Sequence, residues 1–553
     1  MTTMRSSTGK PVALVVLVGS LLVGAPDASQ CAEGIRLREV AEEWGLGFRH
    51  NKAGSGRRYI VETMGNGLLL FDFDNDGDVD AFFVDGGDLP GYEGDDPRSR
   101  LYRNEGGGIF TDVSDLSGIQ IKAYGQGGTA GDIDGDGDLD LYVTAQGANE
   151  LWVNNGDGTF TDGTARAGVG DPLWASSAAF ADVDRDGDLD LYVANYVGFT
   201  VETHRPCITL GHEVYCHPGA YGGVPDRFFR NRGDGTFEDA LEAVGLQTDD
   251  DRAGLGVVFG DLDDDGWPDL YVANDAEPNH LFHNRGDGTF EETALLAGTA
   301  YSDRGRPEAG MGVDLGDADG DGRLDIMVTN FELETNALYR NLGSGLFVDS
   351  RYALNVAESS LLNLAFGVAF ADLDHDGDLD LAIANGHILD NAQDLHGSSR
   401  YAQVNQVLEN QGNGRFEEVT TAGFELVRVS RGLTTGDLDN DGDLDLAISN
   451  SNDIAEVYEN LTGSSQGHWF QIDLQGATAN RFGIGARLDL QTAVSKQIRE
   501  QKTGSSFMSQ NALTLHFGLG PAQEVQQVEI AWPGGKLQRF AGLPADKRLW
   551  IWE

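Results

Sequence analysis

Short apolar runs recur along the chain in a fixed order. Leu141-Tyr142-Val143, Leu191-Tyr192-Val193, Leu270-Tyr271-Val272, Leu381-Ala382-Ile383 and Leu446-Ala447-Ile448 each follow an Asp-rich loop. A second run comes next, as in Leu151–Asn154, Phe228–Asn231, Leu281–Asn284 and Leu338–Asn341. It is followed by a Gly-rich turn such as Gly233-Asp234-Gly235 and a third run such as Thr236–Asp239. Aromatic and β-branched runs this short, bounded by Gly and Asp, read as strands. Each unit predicts four: A before the Asp loop, B after it, C, and D after the glycine turn.

The Asp-rich loop has the pattern D-x-D-x-D-G-x-x-D and occurs seven times, starting at Asp72, Asp132, Asp182, Asp261, Asp317, Asp372 and Asp437. The starts span 365 residues over six intervals, a mean period near 61. That is too long for one solenoid coil and suits a four-stranded propeller blade with some long loops. After the seventh loop a strand C (456–460) appears without a strand D. The missing piece lies at the other end: Ile35–Val40 leads into Trp44-Gly45-Leu46 much as Phe416–Val419 leads into Gly423. An N-terminal strand that completes the last blade removes an open sheet edge. From about Gly467 the repeat stops, and alternation at Phe470, Ile472, Leu474 and at Val528, Ile530, Trp532 predicts further strands. The expected architecture is all-β: a seven-bladed β-propeller over 33–464, then a small β domain over 465–553.

The loops carry the most specific chemistry. Positions 1, 3, 5 and 9 are Asp in every copy and position 6 is Gly. The ligand sets are Asp72, Asp74, Asp76 and Asp80; Asp132, Asp134, Asp136 and Asp140; Asp182, Asp184, Asp186 and Asp190; Asp261, Asp263, Asp265 and Asp269; Asp317, Asp319, Asp321 and Asp325; Asp372, Asp374, Asp376 and Asp380; and Asp437, Asp439, Asp441 and Asp445. Position 7 is Asp78, Asp138, Asp188, Trp267, Arg323, Asp378 and Asp443, so only its backbone carbonyl is a ligand common to all copies. Alternate carboxylates, a Gly-permitted turn and a carbonyl form a hard oxygen cage suited to Ca²⁺, up to seven ions in all. Position 12 is apolar, so the loop is a hairpin and not an EF-hand. Position 4 varies freely and is expected to face solvent. Trp267-Pro268 stiffens the fourth loop. The structural alternative is that Asp and Gly are only turn formers. Unneutralised carboxylates this close repel one another, which disfavours it.

Charge narrows the function further. The 553 residues include 38 Lys+Arg and 90 Asp+Glu, a net charge of −52, which repels phosphate backbones and anionic membranes. Hydrophobic residues at 40% supply a core, so the acidity does not imply disorder. Arg5 and Lys10 precede an apolar run from Pro11 to Gly24, as in a secretory leader over 1–32. No other stretch is long and apolar enough to span a bilayer. The expected location is secreted, periplasmic or cell-surface, and the mature chain is expected to be a monomer. In an oxidising compartment Cys207 and Cys216 read first as a local disulfide. A Cys/His metal site with His204, His212 and His217 is the sharper alternative.

In a four-stranded meander the Asp loops and C–D turns share one face. The long insertions 85–100, 195–227 and 386–406 fall on the other, where a protein or glycan ligand is expected. Asn195, Asn274, Asn330, Asn385 and Asn450, which end strand B, ring the axial funnel or cap their turns. His387 is a funnel candidate; His516 is read as packed or bonded to backbone.

The units, with their N-x-G-D-G-T-F turns, resemble FG-GAP/VCBS repeats. The tail's Asn480–Arg487, Ser509-Gln510-Asn511, Leu515–Gly520 and Trp532–Gly535 are similar to the ASPIC/UnbV domain. The resemblance implies an integrin-α-like propeller with calcium in its hairpin loops. It does not imply a reaction. The leading expectation is therefore a calcium-binding adhesion, binding or scaffold module. The alternative is a propeller lyase, hydrolase or cyclase with its site in the axial funnel opposite the calcium loops.

Overall fold

The computed structural model describes residues 34–94, 97–248, 250–419, 423–462 and 467–553. The expected leader lies outside these residues, as does the expected boundary between the propeller and the C-terminal domain.

Seven four-stranded antiparallel sheets each carry one Asp loop between strands A and B. The first comprises Leu68–Phe71, Asp80–Phe83, Arg100–Asn104 and Phe110–Asp112. The inner strands of the others are Tyr124–Gly131, Ala175–Ala181, Gly254–Gly260, Val313–Gly316, Ala365–Ala371 and Ser430–Gly436. Each inner strand packs against the next and the last returns to the first, so they line a closed axial channel. The predicted A-B-C-D order holds, and apolar residues of adjacent sheets interleave in buried clusters, such as Leu141, Trp152 and Phe160 against Phe71 and Phe73. The closure predicted from the N-terminus is present: Leu37–Glu39 pairs antiparallel with Glu456–Asn460, with Leu37 opposite Asn460.

Every junction between sheets is clasped by one buried asparagine at the end of strand C. Asn154 Nδ2 donates to Leu139 O of its own loop and to Phe73 O of the preceding one, while its Oδ1 accepts from Gly156 N. Asn104, Asn231, Asn284, Asn341, Asn410 and Asn460 repeat this pattern at the other six junctions. An N-x-G spacing carries the signal at six of the seven, because the glycine two residues on takes a left-handed turn while its amide donates to the Asn oxygen; at Asn460 the amide of Thr462 donates instead.

The C-terminal strands form a three-stranded sheet (Leu515–Gly520, His468–Gln475, Lys547–Trp552) and a four-stranded one (Lys496–Glu500, Arg487–Gln491, Glu524–Ala531, Leu537–Pro544). The predicted alternation is met: Phe470, Ile472, Leu474, Val528, Ile530 and Trp532 are all buried in their shared core. These sheets lie over the Asp-loop face, and Gly34–Glu553 is one compact unit.

Between the two sheets, residues 501–512 leave the C-terminal core and enter the channel. Glu500 accepts from Asp261 N, and Thr503 exchanges hydrogen bonds with Phe180. Ser506 pairs with Val313 and accepts from Val368 N. Ser509 Oγ accepts from Leu68 N, Gln510 Oε1 from Thr129 Oγ1 and Ala130 N, and Asn511 Oδ1 from Thr435 N. Residues 501–512 are thus bonded to six of the seven inner strands, and Glu500 just before them to the Asp loop of the fourth sheet. Gly67 and Gly127 make room for it: a Cβ on either would lie 1.8 Å and 2.2 Å from the Met508 carbonyl oxygen.

Candidate functional site

The Asp loops fold by satisfying their own backbone. In all seven, the position-1 carboxylate accepts from the amide of the position-6 glycine, as Asp72 does from Gly77 and Asp437 from Gly442. The position-9 carboxylate accepts from the amide of the clasp asparagine, as Asp80 does from Asn104. In six of the loops it also accepts from the position-2 amide. Position 9 therefore ties the loop to strand C, a role that its spacing alone does not reveal.

The remaining oxygens turn inward. Oδ1 of Asp72, Asp182, Asp372 and Asp437 at position 1, and of Asp74, Asp184 and Asp319 at position 3, is buried with no hydrogen-bond partner. Carboxylate oxygens of Asp132, Asp134 and Asp136 lie within 4.8 Å of one another; so do those of Asp182, Asp184 and Asp186, of Asp261, Asp263 and Asp265, and of Asp72, Asp74 and Asp80. Burial is the main cause that pushes Asp72 and Asp132 up to about 6 and Asp182 up to about 7. Neighbouring carboxylates add to the shift. Orphaned buried carboxylate oxygens that converge are the donor set of a hard divalent cation, and these residues fit Ca²⁺.

Two loops differ. His283 Nδ1 lies 3.3 Å from Asp263 and 3.2 Å from Asp269; the hydrogen bond to Asp269, helped by the charges of both carboxylates, raises the imidazole to about 9. In the fifth loop the Arg323 guanidinium bonds the position-5 carboxylate of Asp321, and Arg340 reaches Asp319 at 3.2 Å. Trp267 of the fourth loop is stacked under Arg185, 3.8 Å from ring centroid to guanidinium carbon.

Position 4 takes a left-handed backbone in every copy, with φ from 57° to 73°. Asn75, Gly135, Asp264, Gly320 and Asn440 face solvent as expected, but His375 is wholly buried beneath the C-terminal sheets. Position 4 also reaches the next loop around the ring: Asn75 donates to Asp138, Asn440 to Asp78, and His375 Nε2 lies 3.3 Å from Asp443. At these three junctions the position-7 side chain links two neighbouring loops.

The C-terminal domain touches the same loops. Asp372 accepts from Gly518 N and Asp437 from Gln471 Nε2. The carbonyls of Gly77 and Gly322 accept from Arg548 and Arg487, and His516 Nε2 is 3.0 Å from Gly442 O, the backbone contact expected for it.

On the opposite face the funnel is closed. Phe507 and Met508, at the tip of the inserted segment, are buried among Tyr59, Tyr124, Trp174, Tyr196 and Phe366. The axial site expected under an enzymatic reading is therefore occupied by the protein's own side chains. The strand-B asparagines cap turns instead of lining a funnel: Asn195 donates to Pro225 O, Asn274 to Pro278 O, Asn330 to Thr335 O, Asn385 to Val404 O and Asn450 to Ile454 O. His387 is buried too; its Nδ1 accepts from Leu389 N and its Nε2 lies 3.4 Å from Glu332, so neither nitrogen faces a reactant. Cys207 and Cys216 form the disulfide of a short hairpin, Cys207–Thr209 against His212–Val214, which excludes the Cys/His metal site. The insertions lock together through Asn391 to Glu213 O, Arg58 to Asp390 and Tyr215 to Glu62.

Residues 72–143, 132–193, 214–272, 261–328, 317–383 and 389–448 match the FG-GAP-like repeat, and 476–553 match the ASPIC and UnbV family. The chain belongs to the FG-GAP-like repeat family. Cartilage acidic protein 1 of Homo sapiens is 28% identical to this FG-GAP-like protein over 343 residues, 59% of this chain and 49% of that one. The Xenopus tropicalis protein of the same name is 27% identical over 290 residues, 51% of this chain and 42% of that one. The chain spans about half the length of the curated relatives it matches. Among solved structures, an Agrocybe aegerita lectin described as recognising non-reducing terminal N-acetylglucosamine has 17% identity and a TM-score of 0.37, covering 73% of this chain and 91% of its own. Rhamnogalacturonan lyase YesW has 13% identity and a TM-score of 0.34, covering 88% of this chain and 91% of its own. Among the described residues, no helix is long and apolar enough to cross a membrane.

Proposed function

We propose that this FG-GAP-like protein is an exported, monomeric, calcium-stabilised binding module. In this reading the Asp loops hold up to seven Ca²⁺ ions as structural ties, and the insertion-loop face presents a binding surface to a protein or glycan. The observation that carries it is the set of buried, unpartnered carboxylate oxygens at positions 1 and 3, which burial alone makes costly and a cation relieves. The ions neutralise charge, hold strand A against strand B and stiffen the platform on which the C-terminal domain sits. Loops four and five bind most weakly, because His283 and Arg323 already bring positive charge to their carboxylates. A binding or scaffold role is favoured over catalysis because Phe507 and Met508 fill the funnel that a propeller enzyme would use.

The test is thermal melting with stoichiometry. EGTA should lower the melting temperature steeply, Ca²⁺ should restore it, and Mg²⁺ should restore it poorly. Each site filled at a thousandfold over its dissociation constant adds about 4 kcal/mol. Equilibrium dialysis of Asp72→Asn/Asp74→Asn should show one fewer bound Ca²⁺. Melting and stoichiometry that ignore EGTA and the substitution would refute the calcium reading.

A further inference from the structure

A cleft of about 650 Å³ opens on the insertion-loop face beside the first sheet. Its walls carry Arg49, Lys52, Arg98 and Arg100, with Asp85 and Asp112 as the acids among them. On a chain with 90 acidic and 38 basic residues, a wall with four cations and two carboxylates stands out against the surface around it.

The two carboxylates are already committed. Asp85 Oδ1 accepts from Asn51 N at 2.6 Å and from Gly86 N at 3.0 Å, and its Oδ2 accepts from Arg98 N at 2.8 Å. Asp85 thus braces together the two segments that bear the basic residues. Asp112 lies 3.4 Å from Arg100. Arg49 and Arg98 pair with Asp453 and Asp115 at the rim, with side chains 61% and 40% exposed. Exposed pairs of this kind are worth little and exchange readily for a ligand carboxylate. Lys52 has no carboxylate partner among the described residues; its ammonium lies 5.9 Å from the Tyr215 ring centroid.

His50 forms the buried part of the wall. It is 1% exposed and lines the cleft. Its Nδ1 accepts from Asn452 N, so in the neutral ring Nε2 carries the proton. That Nε2 has no hydrogen-bond partner and stands 3.8 Å from Asp85 Oδ1. That nitrogen is enclosed in the wall beside the Asp85 carboxylate, so His50 shapes the cleft from beneath. The lining beyond the charges is the Asn51 amide, the Asn452 backbone and the rings of Tyr92 and Tyr102, with little apolar surface beyond Phe48. A wall rich in donors and poor in apolar pockets suits a hydroxyl-rich anion better than a peptide, whose side chains need apolar subsites.

We propose that this cleft binds an acidic saccharide, with a uronate carboxylate held between Lys52, Arg49 and Arg98. The inference rests on the binding-module reading and names the ligand class of its insertion-loop face. The test is calorimetric titration of the full chain at fixed millimolar Ca²⁺ with trigalacturonate, with a neutral galactose trisaccharide and with a hexaglutamate peptide. One trigalacturonate site is expected, with affinity at least tenfold weaker in Arg49→Ala/Lys52→Ala and in Arg98→Ala, while the Ca²⁺-dependent melting of both variants matches the parent. No heat with trigalacturonate, equal binding of the neutral sugar, binding of hexaglutamate as tight as the uronate, or variants that bind as the parent does each overturns it. If uronate binding is absent while EGTA still lowers melting, only this inference fails. If EGTA leaves melting unchanged, the calcium reading fails whatever the titration gives.

Discussion

Truncating Phe507 to alanine tests whether the inserted segment holds the ring together. Phe507 is fully buried, with its ring centroid 4.7 Å from that of Phe366, and it sits where the insertion loops converge. Removing a buried phenylalanine ring costs about 3–5 kcal/mol in lost transfer energy and cavity. Gly34–Glu553 is one compact unit. At about 2 cal/mol/K per residue, the melting entropy of roughly 520 residues is near 1 kcal/mol/K, so the expected fall is about 3–5 °C in a single transition. Phe507→Leu should recover more than half of it, because most of the volume returns. The assay is differential scanning calorimetry in saturating Ca²⁺, with scan rate held fixed. If the C-terminal domain were merely appended, Phe507→Ala would change melting no more than a surface substitution, within about 0.5 kcal/mol. A second, separate transition that alone responds to the substitution would refute the single-unit argument equally well.

Other outcomes follow from the same geometry. Asn154→Ala strands the carbonyls of Phe73 and Leu139 and the amide of Gly156, so it should cost about 2–4 kcal/mol in chemical denaturation; a loss below 1 kcal/mol would count against the clasp. Burial lowers His280 to about 3, and neither ring nitrogen has a partner. Its folded value lies below the unfolded 6.5, so its contribution is full above pH 6.5 and is lost as pH falls towards 3. His280→Phe should therefore be more acid-resistant than the parent by about 2 kcal/mol at pH 5; superimposable pH–stability curves would contradict this. Burial likewise holds His50 at about 3 and His387 at about 4, so acid should weaken the loop face first, read by hydrogen exchange. Reducing Cys207–Cys216 should loosen the hairpin by about 2–3 kcal/mol and expose it to proteolysis while the sheets stay folded; a collapse of global melting would show that the hairpin supports the ring.

The sheets were legible because their signals are local and repeated. Strand order, Asp loops, ring closure by Leu37–Glu39 and the disulfide all follow from spacing and from turn chemistry. The inserted segment was not legible. Gly504-Ser505-Ser506-Phe507-Met508-Ser509-Gln510-Asn511 reads as a polar loop, and its partners are scattered from Leu68 to Thr435 over five of the inner strands. The glycines that admit it were visible but indistinguishable from turn formers. The regularity of position 9 points to a ligand, while the same regularity also serves a hydrogen bond to the clasp asparagine. The cleft cations come from residues 49–52 and 98–100, which Asp85 brings together by accepting from Asn51 N and Arg98 N. No repeat marks them, so periodicity could not find them.

The pairing of Leu37–Glu39 with Glu456–Asn460 fixes a timetable for the chain. A ribosome adding about 5–20 residues per second emits the first strand roughly 20–80 seconds before its partner exists. The inserted segment emerges later still. Until then the last sheet lacks its outer strand and the channel lacks its filling, so the nascent chain cannot commit to its final form. This order favours a chain held open during synthesis and folded afterwards in one long-range step, slow by virtue of its topology.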